Sequence, residues 1–171
     1  LILLKNNREV IVTVADRCVK RETCRVGGGK LIDVLDLGEI CLNDFVWPDH
    51  PDTDKYPLTL CYSPESELVQ LRHTVDPELM FRTYWYNSGT NESMANHLRE
   101  VVLKIVGVYA VVRAGDVVVD IGANDGTLLS YYSGEIYTVG FDPANVKRAK
   151  RVNEFVKEFF TSDAYARLDL P

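Results

Sequence analysis

Long apolar runs are missing from this sequence. The most apolar stretch, Val101 to Val112, is interrupted by Lys104, whereas a membrane-spanning helix needs about 20 apolar residues. Leu1 to Leu4 meets Lys5 at once and is too short for a signal-peptide core. Basic charge is also short: 19 Lys and Arg stand against 25 Asp and Glu, giving a net charge of -6 and a pI near 5.1. That argues against non-specific nucleic-acid binding, which runs on basic surface. No C-x-x-C pair is present, so cysteine spacing alone carries no zinc signal. The four cysteines, Cys18, Cys24, Cys41 and Cys61, read as reduced thiols of a cytoplasmic protein, with two disulfides as the alternative. The sequence opens on Leu1 without an initiator Met and reads as a fragment.

What is present suits a folded domain. Hydrophobic residues make up 46% and charged residues 26%, which excludes wholesale disorder. A length of 171 residues leaves room for one domain, or a domain with a small module. Residues 1–20 read as an extra β segment, with Ile2 to Leu4 and Val10 to Val14 as two strands around a polar turn. Residues 21–80 read as a small β-rich module. Its short apolar segment runs from Leu31 to Leu37, a Pro- and Asp-rich loop covers Trp47 to Asp52, and Tyr56 to Tyr62 and Leu68 to Leu71 form a hairpin. Residues 81–112 are a linker and a helix. In that helix Met94, Leu98, Val101, Ile105 and Val108 step by 4, 3, 4 and 3 along one face, and Asn91 or Ser93 caps its start.

Residues 113–171 alternate. Val117 to Ile121 reads as a buried parallel strand, Thr127 to Tyr132 begins a helix, and Tyr137 to Phe141 is a second strand. Ala144 to Arg151 is a second helix, and Phe155 to Phe160 a third strand. The fold class is therefore α/β, with a β-α-β-α-β order that opens a doubly wound sheet. The first strand feeds Gly122-Ala123-Asn124-Asp125-Gly126-Thr127, a Gly-rich turn that lets backbone amides approach a ligand. The second ends in Phe141-Asp142-Pro143, and Asp142 lies 22 residues beyond Asp120, placed to accept both hydroxyls of a ribose. The turn is not G-x-G-x-x-G, which counts against a pyrophosphate and so against NAD and FAD. Asp120 suits a cationic ligand, and S-adenosylmethionine has an ammonium group, a ribose and no phosphate. The plainer alternative is an ordinary strand, turn and helix with exposed acids.

The segments Val118 to Tyr132 and Val139 to Ala144 closely resemble class I S-adenosylmethionine-dependent methyltransferases. More narrowly, the chain is similar to the sugar C-methyltransferase family, which carries a small zinc-binding module ahead of a Rossmann-like catalytic domain. Leu35 to Glu39, Leu42 to Phe45, Tyr56 to Leu58 and Leu68 to Leu71 follow the order of that module, and Tyr84 to Met94 matches the linker. The resemblance runs from about Cys24 to Tyr165 and implies cofactor contacts at Asp120, Gly122, Ala123, Asn124, Gly126, Thr127, Phe141 and Asp142. It also implies two C-x-x-C pairs. Here the first reads Cys24-Arg25-Val26-Gly27 and the second Ser63-Pro64-Glu65-Ser66, so three expected thiolates are replaced by Gly27, Ser63 and Ser66. Zinc is therefore expected to be absent, although Cys18, Cys41 and Cys61 remain as conceivable partners of Cys24. Leu35, Leu37, Phe45, Leu58, Leu60 and Leu68 must then hold the module, with His50 and His73 on the surface.

The resemblance further implies a nucleotide-linked keto-deoxysugar as acceptor, deprotonated beside its ketone to an enolate that attacks the sulfonium methyl. Tyr84 and Tyr86 are the candidate catalytic residues, orienting substrate or stabilising the enolate, against an alternative of simple packing around Trp85. Ser88, Asn91 and Ser93 would line the cofactor mouth, and His97 reads as a surface helix residue. The family's general base falls beyond this sequence. A full methyltransferase sheet has seven strands, whereas Asp116 to Pro171 supplies 56 residues, enough for about three. The chain is thus expected to be an incomplete catalytic domain behind a small module, inactive alone. The other function class is a non-catalytic relative that binds cofactor or serves as an interaction module.

Overall fold

The computed structural model describes residues 2–5, 8–11, 17–42, 54–148 and 151–170. The chain divides into two compact units, Leu1–Met80 and Phe81–Pro171. Their mix of small sheets and short helices is α/β. Among the described residues, no helix is long and apolar enough to cross a membrane.

Among its described residues the first unit holds seven strands: β1 (Ile2–Lys5), β2 (Arg8–Ile11), β3 (Cys18–Lys20), β4 (Ile32–Cys41), β5 (Lys55–Ser63), β6 (Leu68–Leu71) and β7 (His73–Val75). β1 and β2 form an antiparallel pair, as do β3 and β7, and β4, β5 and β6 form an antiparallel sheet in that order. The expected β5–β6 hairpin is present, pairing Leu60 with Leu71 and Ser63 with Leu68. The first expected hairpin is also present over Ile2–Ile11; Val12 to Val14, the loop at Trp47 to Asp52, Phe45 and His50 lie outside the described residues.

The core of this unit is smaller than the sequence suggested. Cys24, Leu31 and Cys61 are buried together, with Leu68 packed on them. Leu58 and Leu60 are half-buried, but Leu35 and Leu37 are exposed, as is every residue of β4. The cause is local. β4 is the sheet's edge, its register slips at two places, and Gly38 turns the chain at φ 71°. Bulges of this kind break the in–out alternation that would point one apolar face at a core. His73 is half-buried rather than on the surface. Much of the unit's cross-linking is polar instead. The buried Arg72 guanidinium donates to Asp33 Oδ1 at 2.7 Å, to the Arg21 carbonyl at 3.1 Å and to the Leu31 carbonyl at 3.3 Å.

The second unit begins within α1 (Pro77–Phe81) and continues into α2 (Glu92–Leu103). Of the two candidate caps, Asn91 serves: its side chain accepts from the amides of Ser93 and Met94. Val102 is the buried residue of α2, while Met94 and Val108 of the expected stripe are exposed. Then come β8 (Val117–Ile121), β9 (Tyr137–Phe141), β10 (Glu154–Val156) and α3 (Ser162–Ala166). The three strands form a parallel sheet in the order β10-β9-β8. β8 and β9 fall where the sequence placed them; β10 is shorter and ends at Val156.

Neither crossover is the helix expected from sequence. Thr127 to Tyr132 contains only a single 3-10 turn, Leu129–Tyr131, and Tyr132 is already extended. The segment lies between Gly126 and Gly134, too short to repay helix nucleation. Residues 144–148 form no helix, and 149–150 lie outside the described residues. Lys147 and Arg151 stand four apart in sequence, a like-charge spacing that disfavours a helical turn. β9 is the buried centre of the sheet, with Val139 and Phe141 inaccessible, whereas β8 is half-buried and its Ile121 is exposed.

Gly140 marks the tightest packing on β9. A Cβ there would lie 3.0 Å from the Phe155 ring and 3.1 Å from Ala123 Cβ. Gly140→Ala is therefore expected to destabilise the chain by about 1–3 kcal/mol through overpacking. Urea unfolding would read it as a lower midpoint with an unchanged slope; an unaltered midpoint would show that β9 and β10 are not packed this closely.

Candidate functional site

The loop after β8 takes its shape from three residues in the left-handed region: Gly122 at φ 77°, Asn124 at φ 52° and Gly126 at φ 80°. Glycine reaches that region freely, and asparagine is among the few other residues that tolerate it. The Gly122 and Ala123 amides donate to the Phe141 carbonyl at 2.8 and 3.0 Å, folding the loop back over the end of β9. Ala123, Gly126 and Thr127 are buried in this turn.

Asp142 fixes the turn from the other side. One carboxylate oxygen accepts from the Asn124 amide at 2.8 Å and the other from the Ala144 amide at 2.8 Å. The residue is 8% exposed. The sequence reading gave this carboxylate to a ribose alone; in the structure it first organises the main chain around it. Each oxygen keeps a second lone pair, so the two roles are compatible.

Asp120 is the next-to-last residue of β8. Asp120 is half-buried and makes no hydrogen bond or ion pair among the described residues. Its pKa is raised above the usual carboxylate range, first by burial and then by the charge of Asp142. An unpaired anion held there is the complement of a cationic ligand.

A cavity of about 230 Å³ opens at this end of the strands. Its walls are Ile121, Gly122, Phe141, Asp142, Tyr84 and the Phe159–Phe160 pair, together with Phe81 and Pro143. They are mostly apolar, with one carboxylate. That is the pattern of a small-molecule site: apolar walls with a few polar groups that fix orientation. A larger cavity of about 470 Å³, lined by Tyr132, Ile136, Thr138 and Asn153, lies beside the start of β9 and away from the glycine turn. Tyr84, Gly122, Phe141 and Asp142 of the candidate residues line the smaller one.

The linker is strapped to the turn. The Asn124 side chain accepts from the Ser88 amide at 2.9 Å and donates to the Tyr86 carbonyl at 2.9 Å. Asp125, fully buried, accepts from the Gly89 amide at 2.8 Å and the Thr127 amide at 3.0 Å. A Cβ at Gly89 would fall 2.6 Å from Thr127 Oγ1, so only glycine passes here. The sequence reading gave Asp125 no role. Its signal was the Asp-Gly-Thr order, in which a side-chain oxygen caps the amide two residues on. Of the two candidate tyrosines, Tyr84 lines the cavity, whereas Tyr86 reaches the turn through its carbonyl. Their rings and Trp85 lie 6.3–6.4 Å apart in one aromatic cluster. Asn91 and Ser93 are engaged in capping α2, and His97 is exposed.

In the first unit, the positions expected to hold zinc converge. Cys24 Sγ lies 3.1 Å from Ser66 Oγ, and a Cβ on Gly27 would meet Ser66 Cβ at 3.6 Å. Ser63 is fully buried, and among the described residues its Oγ finds no hydrogen-bond partner. The Cys24 thiol is lowered to about 7, chiefly by the Ser66 hydroxyl, then by the Gly27 and Val26 amides. One thiol and two neutral hydroxyls do not fit a structural zinc, which takes four thiolate or imidazole ligands. Among the described residues, no three His, Cys, Asp or Glu side chains cluster as a metal site. Cys18 on β3 and the exposed Cys41 do not join Cys24 in one. Cys61 donates to the Gln70 carbonyl at 3.3 Å.

Comparison with known proteins fits both units. Residues 24–81 match the family model Methyltransf_13, described as a putative zinc binding domain. Over 128 residues, 72% of the chain, the sequence is 30% identical to the C-methyltransferase NovU of Streptomyces niveus. The chain spans about 30% of the length of that relative. Both findings bear out the resemblance to methyltransferases of this type.

The pair of carboxylates yields a stability prediction. Asp120 has a raised pKa in the folded chain, so its ionised form opposes folding at neutral pH, and that cost disappears as pH falls below the unfolded value of about 3.9. Asp120→Asn is expected to raise the thermal midpoint at pH 7 and to leave it unchanged near pH 3. A variant no more stable than wild type at pH 7 would contradict the burial of this carboxylate beside Asp142.

Proposed function

We propose that this chain, a methyltransferase relative by sequence, carries the cofactor-binding front of an S-adenosylmethionine-dependent C-methyltransferase behind a small module that descends from a zinc-binding one. The observation that supports it most is the Asp142 carboxylate locked against a left-handed glycine turn, beside an unpaired Asp120 and an apolar cavity. In this reading residues 1–20 are an added β segment, 21–80 the module, 81–112 the linker and helix, and 113–171 the front of a Rossmann-like domain. The parallel order β10-β9-β8 supports that last assignment.

The residues present suit the cofactor. Asp142 accepts the ribose hydroxyls on its remaining lone pairs, and Phe141, Phe159 and Phe160 offer apolar walls to the base. Gly122 lets the chain approach without a Cβ, and Asp120 attracts the cationic end. When bound, the cofactor supplies an electrophilic methyl group. Tyr84, at the cavity wall, is positioned to orient an acceptor or to donate to its developing negative charge. The strapping of Tyr86, Ser88 and Gly89 to Asn124 and Asp125 holds that tyrosine-bearing segment in place. The acceptor in this reading is a small ketone-bearing molecule such as a nucleotide-linked deoxysugar, and the proton-abstracting base belongs to a part of the protein outside these residues.

Titration calorimetry tests the cofactor assignment. The chain is expected to bind S-adenosylmethionine, not NAD, and Asp142→Ala should weaken binding at least tenfold. Affinity should also fall as pH is lowered through the raised pKa of Asp120, and Asp120→Asn should flatten that dependence. Absence of binding, or binding indifferent to Asp142, would reject the reading.

A further inference from the structure

The cluster at Cys24 poses a separate question, independent of methyl transfer: what holds the first unit together, when residues 24–81 match a family model described as a putative zinc binding domain but lack its expected ligands? The four positions Cys24, Gly27, Ser63 and Ser66 sit on two turns, one before β4 and one at the β5–β6 hairpin. The first turn is closed by the Cys24 amide donating to the Gly29 carbonyl at 2.8 Å and the Gly28 amide to the Cys24 carbonyl at 3.0 Å, with Gly28 at φ 69°. The second turn presents the Ser66 hydroxyl to the Cys24 sulfur.

We infer that this is a metal site whose geometry persists while its metal chemistry has been replaced: the Cys24–Ser66 contact, beside the buried Ser63 hydroxyl, forms a hydrogen-bonded plug that closes the two turns without zinc.

Three observations carry this. The two turns remain close enough for direct thiol–hydroxyl contact, at 3.1 Å. A bound tetrahedral metal would separate its ligand atoms further, because each sits about 2.3 Å from the ion when it is sulfur. The buried and unpartnered Ser63 Oγ marks a polar corner that the fold retains without satisfying, which is unusual for a buried hydroxyl. Gly27 keeps room for a side chain: its backbone is outside the left-handed region, and a Cβ meets Ser66 Cβ at an ordinary 3.6 Å. The neighbouring strands are tied by other means. The Arg25 amide donates to Gln70 Oε1 at 2.9 Å, Cys61 binds the Gln70 carbonyl, and Arg72 joins three segments.

The inference predicts that the lost corners can be restored. The full chain carrying Gly27→Cys, Ser63→Cys and Ser66→Cys should take up about one cobalt(II) per chain, with thiolate charge-transfer and tetrahedral ligand-field absorption, and its melting temperature should fall when a chelator is added. The wild-type chain, loaded with zinc and dialysed, should retain far less than one zinc per chain, and a chelator should leave its melting temperature unchanged. Should the triple variant fail to fold, Ser63→Cys with Ser66→Cys supplies three thiolates and should bind cobalt(II) more tightly than wild type. Stoichiometric zinc retained by the wild type would overturn the inference, as would folded variants with no gain in metal affinity. Neither result bears on cofactor binding at Asp142.

Discussion

A single carboxylate holds the candidate site in shape. Asp142 accepts the Asn124 amide on one oxygen and the Ala144 amide on the other, and so pins the turn after β8 to the end of β9. Hydrogen bonds to a charged acceptor contribute about 1.5–3 kcal/mol each, enough to hold Asn124 in a left-handed conformation that its side chain then exploits. From there Asn124 reaches Tyr86 and Ser88, and Asp125 reaches Gly89. The linker, the turn and the cavity wall thus follow from one ionised group. Its cost falls on Asp120, whose charge burial disfavours first and Asp142 disfavours further. Two anions at adjoining strand ends are a poor arrangement for stability and a suitable one for a ligand that brings a ribose and a positive charge.

The first unit solves a different problem. It has little apolar core, and its longest strand buries none of its side chains among the described residues. In the metal-free reading, cohesion comes from Arg72, Gln70 and the Cys24 cluster, which tie together segments far apart in sequence. Small domains usually need a metal or disulfides in addition to a core. A hydrogen-bonded substitute is weaker than four metal–ligand bonds but does not depend on metal supply.

Sequence reading reached the parts of the molecule that depend on short-range pattern. β8 is rich in β-branched residues and β9 mixes aromatic with β-branched ones, with Gly122 and Pro143 soon after their ends, and both appear where expected. The β5–β6 hairpin and the Asn91 cap follow from equally local signals. The two crossovers look helical in sequence because apolar spacing over one turn resembles a helix, while nucleation cost and like charges at helical spacing decide otherwise. Leu35 and Leu37 were misplaced because alternation along β4 is interrupted by bulges that only pairing with β5 reveals. The double duty of Asp142 was invisible, since a spacing of 22 residues locates a carboxylate without saying which amides face it. Asp125 and Gly89 were missed for the same reason: their contact joins residues 36 positions apart.

The account rests on Asp142 serving the turn and a ribose at once. The most direct test compares S-adenosylmethionine with an analogue lacking both ribose hydroxyls, by calorimetry on the wild type and on Asp142→Asn, which keeps acceptor capacity for one amide. The account predicts that the wild type discriminates against the analogue at least tenfold and that the variant loses most of that discrimination. Equal affinity of the wild type for both compounds would contradict it and leave Asp142 as a purely structural clamp.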